Sequence, residues 1–281
     1  MTGTVVRPER AARTGRGRPW EVGELVGHLE ELGVREGEVL LVQSSLRAVG
    51  PVTGGVQGVV KALLEALGAR GTLVVYTATP ENSRTSPHYR AATAGLTPAQ
   101  LAGYHERMPV WDRALTAASP TMGRLAEEVR LLPGALRSAH PQTSFTAFGP
   151  AAAELTDGHR LECHLGDDSP AGWLYRNRAR SLMLGVPVWC CTPLHLLEYW
   201  QPDRPEQVYT CVRRDGAGGR EVVEFTGTRL RDDHFAAMGE LLDAQLGAPL
   251  RHGPVGDARS HLMPIREAVD LAAKWYRNGR S

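Results

Sequence analysis

The chain has 281 residues, a formal net charge of +1 and 42% hydrophobic residues. That length fits one large domain or two small ones, and the apolar content can fill a sizeable core. The near-neutral charge argues against bulk binding to nucleic acid or an anionic membrane, and no apolar run approaches the roughly 18 residues of a membrane span.

Residues 1–18 are rich in Arg, Gly, Thr and Pro, lack apolar periodicity and read as a disordered leader. They also lack the apolar core of a signal peptide. The remainder, 19–281, reads as a single domain. Trp20 to Leu32 is an amphipathic helix, with Val22, Leu25, Val26, Leu29 and Leu32 at helical spacing and Gly33 as its stop. Val39-Leu40-Leu41-Val42 is a wholly apolar strand, the signature of burial on both faces of a parallel sheet. The polar loop Gln43 to Gly50, a helix from Gly55 to Leu67 and the strand Thr72 to Thr77 complete a βαβ unit. The fold class expected is therefore α/β: an α/β/α layering around a mostly parallel central sheet, with a smaller antiparallel C-terminal strand region.

Residues 78–120 carry Pro, Ser, Thr, His and Tyr with little periodicity. A loop of this length in a compact domain is usually functional or mobile. It follows the C-terminal end of a strand, where α/β folds bind ligands, so it is expected to wall a substrate cleft. Downstream, the pattern predicts a helix over Met122–Leu132, a turn over Arg137–Pro141 and a strand over Ser144–Phe148. A short helix follows over Pro150–Leu155, then a helix opened by Asp167-Asp168-Ser169-Pro170 and a buried strand over Ser181–Gly185. Two strands, Gln207–Arg213 and Glu221–Phe225, flank an Asp215-Gly216 turn. Helices over Asp232–Gln245 and Pro264–Tyr276 bracket a strand pair near Val255–Met263.

Thr192-Pro193-Leu194-His195-Leu196-Leu197-Glu198-Tyr199 reads as two helical turns. Thr192 suits the cap and Pro193 the first helical position. His195 and Glu198, three residues apart, share a face. The positive end of a helix disfavours imidazolium, so His195 is expected to stay neutral and take a proton as a general base, with Glu198 beside it. A buried histidine satisfied by a carbonyl is the plainer alternative. The Gln43–Gly50 loop can cradle a phosphate through Ser44, Ser45 and backbone N–H groups, helped by Arg47, or can be an ordinary strand-to-helix connection.

The usual α/β ligand signatures are absent: no G-x-G-x-x-G after a strand, no G-x-x-x-x-G-K-[ST], no G-x-S-x-G and no H-E-x-x-H. The four cysteines, Cys163, Cys190, Cys191 and Cys211, match neither a zinc ribbon nor a Cys-x-x-Cys pair and read as reduced thiols of a cytoplasmic protein. A zinc site built from His140, His164, His195 and cysteines is disfavoured by its irregular spacing, so no metal is expected.

Three segments, in order, carry a resemblance. The first is Leu40-Leu41-Val42-Gln43-Ser44-Ser45-Leu46-Arg47-Ala48-Val49-Gly50-Pro51, continuing to Gly71-Thr72-Leu73-Val74-Val75. The second is Arg137-Ser138-Ala139-His140-Pro141 with Ser144-Phe145 and Phe148-Gly149-Pro150. The third is Ser169-Pro170, Leu174-Tyr175, Leu182–Val186 and Thr192–Tyr199. Together they resemble the aminoglycoside 3-N-acetyltransferase family, which is distinct from the GNAT acetyltransferases.

The resemblance implies transfer of acetyl from acetyl-CoA to the 3-amino group of a deoxystreptamine ring, and hence antibiotic resistance. It implies His195 as the base and Asp233 as an acidic residue at the substrate, while Glu198 as the residue orienting His195 follows from the helical spacing. It implies a coenzyme site lined by Ser44, Ser45, Leu46, Arg47, Val49, Arg137, Ser138 and His140. A polycationic acceptor also needs polar and acidic contacts, and Tyr76, Glu81, Asp167, Asp168 and Asp232 are the candidates. The implied partners are a polyamine antibiotic and CoA, with neither nucleic acid nor membrane, and a homodimer is compatible with the resemblance. Gln43 stands where the family has His, and Val188-Trp189-Cys190-Cys191 replaces an Asn- and Thr-rich segment. These departures bear on the acceptor, so another amine metabolite is the second reading. A hydrolase pairing Cys190 or Cys191 with His195 and a non-catalytic binding protein are the rivals from other classes.

Overall fold

A computed structural model describes residues 17–278; most of the expected leader and residues 279–281 lie outside the described residues. Helix α1 (Val22–Leu32) turns Leu25, Leu29 and Leu32 inward. It opens on a reciprocal capping box between Glu21 and Glu24 and ends at Gly33, whose φ of 107° needs no Cβ. Strand β1 (Val39–Ser44) leads through the short α2 (Leu46–Val49) to α3 (Gly55–Leu67) and β2 (Thr72–Tyr76). Then come α4 (Pro87–Thr93), α5 (Pro98–Arg107), α6 (Arg124–Arg130), β3 (Leu136–Arg137), β4 (Phe145–Phe148), α7 (Ala152–Thr156), α8 (Pro170–Arg176) and β5 (Arg180–Leu184). The chain continues through α9 (Leu196–Tyr199), β6 (Glu206–Arg214), β7 (Arg220–Thr228), α10 (Phe235–Gln245), β8 (Arg251–Val255), β9 (Ala258–Pro264) and α11 (Ile265–Arg277).

Seven strands form one sheet in the order β3-β4-β2-β1-β5-β9-β8, and β6 and β7 form a separate two-stranded sheet. The α/β class holds, with helices on both faces. Side-chain alternation explains the layering. Leu40, Val42, Leu73, Val75, Leu182 and Leu184 pack with Leu25, Leu29 and Leu63 of α1 and α3. Leu41, Val74 and Met183 pack with Leu194, Leu197, Met238 and Ala268 on the opposite face.

The expectation of a mostly parallel sheet is corrected. Among the described strands of this sheet, only β1–β2 and β1–β5 pair in parallel. β4 runs antiparallel to β2 and β9 antiparallel to β5. The β8–β9 turn contains Gly256 at a φ of 62°, and its hairpin docks on the open edge of β5. The C-terminal strand pair is therefore part of the main sheet, and the β6–β7 hairpin is the smaller antiparallel unit.

Residues 78–120 contain helices α4 and α5, neither of which has a buried residue. Ser86 and Thr97 cap them, accepting from the N–H groups of Tyr89 and Gln100. The segment is tied to the β6–β7 hairpin. The Asn82 side chain both donates to the Val212 carbonyl and accepts from the Val212 N–H, each at 2.6 Å. Arg220 reaches back to the carbonyls of Met108 and His105 at 2.7 and 2.6 Å. No helix among the described residues is long and apolar enough to cross a membrane.

Candidate active site

The C-terminal ends of the parallel strands β1, β2 and β5 open on a cavity of about 510 Å³, the position α/β sheets use for ligands. Gln43 and Ser44 line it from β1 and Tyr76 from β2. Met122 and Leu125 enter at the start of α6, Trp189, Cys190, Thr192 and His195 after β5, and Asp232 and Phe235 at the start of α10.

His195 closes a 3-10 turn, Thr192–His195, and α9 follows at once. The expected cap is corrected: Thr192 makes no cap hydrogen bond. Its hydroxyl instead accepts from Gln43 Nε2 at 2.7 Å, which joins β1 to the histidine segment. With four residues in each helical piece, the macrodipole argument for His195 carries little weight.

The His195–Glu198 pairing is present. His195 Nδ1 lies 3.2 Å from Glu198 Oε2. The Glu198 side chain is only 4% exposed. Its second oxygen accepts the Arg231 backbone N–H at 3.0 Å and lies 3.5 Å from His234 Nε2. A carboxylate can only accept, so Nδ1 donates to it and Nε2 carries the lone pair. The Phe235 ring packs against the imidazole, 4.5 Å between centroids. This fixed imidazole, open to a cavity and held by a buried carboxylate, is the geometry of a general base.

The other expected residues divide. Ser44, Tyr76 and Asp232 line the same cavity as His195. Burial pushes the Tyr76 hydroxyl far above its ordinary value, so it remains a neutral donor. Asp233 is turned to solvent and forms a two-point pair with Arg231, at 2.9 and 2.6 Å. Asp232, not Asp233, is the acid at the cavity.

The phosphate cradle is partly closed. The Ser45 N–H donates to the Leu184 carbonyl at 2.9 Å, and the Ala48 N–H returns to the Ser45 carbonyl at 2.9 Å. Val49 is fully buried, whereas Arg47 is exposed and Leu46 half-buried. The structure does not bring Arg137, Ser138 or His140 to the cavity. Arg137 is buried, with Nε on Ser144 Oγ at 2.9 Å, one terminal nitrogen on the Thr77 carbonyl at 2.7 Å and the other on the Thr116 carbonyl. Desolvation lowers its pKa to about 10. Ser138 Oγ accepts the Phe145 N–H at 2.9 Å. His140 Nδ1 accepts from Gln142 and Thr143, so its Nε2 donates to the Leu161 carbonyl at 3.0 Å. These residues hold the 137–148 hairpin together from inside.

Glu81 accepts from Ser119 at 2.5 Å. Asp167 accepts from the Trp200 indole N–H at 3.2 Å. Asp168 borders a separate surface depression with Glu154 and Arg176. None of the three lines the His195 cavity. Burial also raises the thiols of Cys190, Cys191 and Cys211, to about 11, 12 and 11. Protonated thiols are poor nucleophiles, which counts against a cysteine hydrolase. The Trp189-Cys190 segment expected to alter the pocket wall does line the cavity, whereas sequence reasoning missed Phe235 as a wall and the Arg231 N–H as a support for Glu198. No spacing signal marks them, because each reaches the site through tertiary packing.

The aminoglycoside 3-N-acetyltransferase profile matches residues 41–277. The chain belongs to this family. A Streptomyces fradiae aminoglycoside N(3)-acetyltransferase VIII is 39% identical over 278 residues, covering 92% of each chain. The Bacillus subtilis aminoglycoside N(3')-acetyltransferase-like protein YokD is 32% identical over 261 residues, covering 90% of this chain and 91% of that one. The crystal structure of YokD superposes with a TM-score of 0.86 at 29% identity, over 94% of this chain and 95% of that one. Sisomicin-bound AAC-VIa gives 0.79 at 28% identity, over 93% and 99%. Family membership makes the chain an acyltransferase, and acetyl-CoA is the donor that members of the family use.

Proposed function

We propose that this acetyltransferase transfers acetyl from acetyl-CoA to the 3-amino group of the deoxystreptamine ring of an aminoglycoside, in the cytoplasm, and so confers resistance. The observation that carries the reading is the His195–Glu198 pair at the mouth of the β1–β2–β5 cavity. An ammonium group has no lone pair to attack with, so the acceptor reacts as the neutral amine, its first proton having gone to solvent. His195 Nε2 takes the amine proton as nitrogen bonds to the thioester carbon. The C–S bond then breaks, and the proton passes from the imidazolium to the leaving CoA thiolate. Glu198 orients the imidazole and stabilises its charged form. A base so placed contributes on the order of 10²–10⁴-fold.

Ser44, with the Ser45-Leu46-Arg47 turn and Val49 behind it, serves the coenzyme, and Arg47 is the exposed cation there for a phosphate. Arg137, Ser138 and His140 act on that side through the backbone they hold. Asp232 and Tyr76 serve the acceptor, and residues 78–120 wall it on the side of the β6–β7 hairpin. Asp233, Glu81, Asp167 and Asp168 are more remote contacts for a polycation. Incubation with acetyl-CoA and kanamycin, gentamicin or paromomycin, followed by mass spectrometry and NMR, tests the reading. One acetyl group on the 3-amine supports it; no acetylated drug overturns it.

A second acceptor class is favoured by one observation. Among the described residues Asp232 is the one acid lining the cavity, Glu198 being the buried acid paired with His195, and Gln43 Oε1, buried in the wall, has no hydrogen-bond partner among the described residues. An amine metabolite with a single cation and a hydroxyl or amide N–H suits such a wall. Kinetics against simple amines beside the drug panel separate the two.

A further inference from the structure

Far from the catalytic cavity, the β8–β9 hairpin places two histidines face to face. His252 pairs directly with His261 in the antiparallel register, so the two side chains rise from the same face of the sheet. Their Nδ1 atoms are 2.7 Å apart and their ring planes are perpendicular. Asp243, near the end of α10, brings a carboxylate oxygen to the same point, and the three ligand atoms lie within 4.8 Å of one another. Neither the acetyl-transfer chemistry nor the packing of the core uses this cluster.

We propose that Asp243, His252 and His261 form a site for a divalent transition metal of the zinc, cobalt and nickel class. Two imidazoles and one carboxylate are ligands such ions prefer, whereas calcium and magnesium take oxygen donors. Metal–nitrogen bonds of about 2.0–2.1 Å set two nitrogens roughly 3.3 Å apart in tetrahedral geometry. The present spacing of 2.7 Å therefore needs to open by roughly half an ångström or slightly more, which the exposed His252 can supply. His261 is nearly buried and held by pairing on both sides, with β5 and with β8, so it is a pre-set ligand. His252 and Asp243 are exposed and close on the ion from solvent. Arg259, two residues along β9, opposes a cation, and Asp243 offsets it. Water completes the coordination. A metal there ties the far end of α10 to the sheet edge, and the near end of the same helix carries Phe235 against His195.

The test is calorimetric titration of untagged, chelator-treated protein with ZnCl₂ and, separately, CoCl₂, whose visible spectrum reports its ligands. Saturable binding of one equivalent is expected, with a rise in melting temperature on zinc addition. His252→Ala and His261→Gln abolish both effects, and Asp243→Asn weakens binding at least tenfold. His88→Ala, an exposed histidine elsewhere, leaves them unchanged. Circular dichroism checks that each variant is folded. No saturable binding, binding retained in folded His252→Ala and Asp243→Asn, or a thiolate band in the cobalt spectrum overturns the proposal. None of these readouts depends on the acetyl acceptor.

Discussion

Glu198 accepts the Nδ1 proton of His195 at 3.2 Å while its other oxygen accepts the Arg231 N–H at 3.0 Å. One buried carboxylate thus orients the His195 imidazole and anchors the segment leading into α10. Removing the imidazole and removing its anchor should have different consequences.

His195→Ala is expected to lower kcat by on the order of 10²–10⁴-fold with little change in KM for acetyl-CoA. His195 lines the open cavity, so water can fill the space its side chain leaves and the melting temperature should shift little. Steady-state kinetics with a calorimetric scan read both. Near wild-type turnover would remove His195 from the mechanism.

Glu198→Ala should cost both activity and stability, because it strands the Arg231 N–H in the interior at about 1–3 kcal/mol. Glu198→Gln keeps an acceptor for one of the two donors. It should lose activity while recovering most of the stability. Equal stability of the Ala variant and wild type in urea would contradict the anchoring role.

Three buried histidines make the fold acid-sensitive. Burial depresses His159 to about 4 and His164 to about 3, and His140 lies well below its ordinary value from burial and from its two histidine neighbours. In the unfolded chain each titrates near pH 6.5. Below that pH the unfolded state takes up protons the folded state refuses. Stability is therefore full above about pH 6.5 and falls as pH drops toward 4, by up to about 1.4 kcal/mol per pH unit for each histidine. Urea midpoints from pH 8 to pH 4.5 should show this slope, and His164→Gln should reduce it. A flat profile would refute it.

Cysteine reagents should not inactivate the enzyme. With thiols raised to about 11 and 12, Cys190 and Cys191 carry little thiolate at neutral pH. Iodoacetamide should label them slowly in native protein and rapidly after denaturation, as mass spectrometry can follow. Cys190→Ser should retain acetyl transfer. Its loss would revive a nucleophilic thiol.

Gly185 ends β5 at a φ of 69°, and a Cβ there would sit 2.6 Å from Ala48 Cβ. Gly185→Ala should destabilise by about 1 kcal/mol or more. It should also displace the Ser44–Val49 turn, raising KM for acetyl-CoA more than it lowers kcat. Unchanged kinetics would separate the turn from the coenzyme.

The buried strands were legible because their residues are apolar on both faces: Val39 to Val42 carries its own evidence of two covering layers. The His195–Glu198 face followed from helical spacing alone. What escaped depended on partners distant in sequence. Helices α4 and α5 bury nothing, so no apolar stripe announced them. The Thr192 hydroxyl is drawn off its cap by Gln43, 149 residues away. Arg137 has the composition of a phosphate ligand, yet its fork closes on Thr77, Thr116 and Ser144, and an isolated arginine cannot announce which of these it will do. The β8–β9 hairpin was visible as a hairpin, but its docking on β5 was not, because the choice of sheet edge is a tertiary decision.

The insertion of β9 beside β5 sets the order in which the enzyme is born. Residues 258–264 complete the pairing of the strand that leads to His195, and Ala268, Val269 and Ala272 of α11 share a core with Leu194, Leu196 and Leu197 around it. A nascent chain halted before residue 258 holds His195 in sequence but lacks the strand and helix that pack around its segment. A chain cut before residue 258 should therefore lack the packing that seats His195 and, on the proposed mechanism, should transfer no acetyl group.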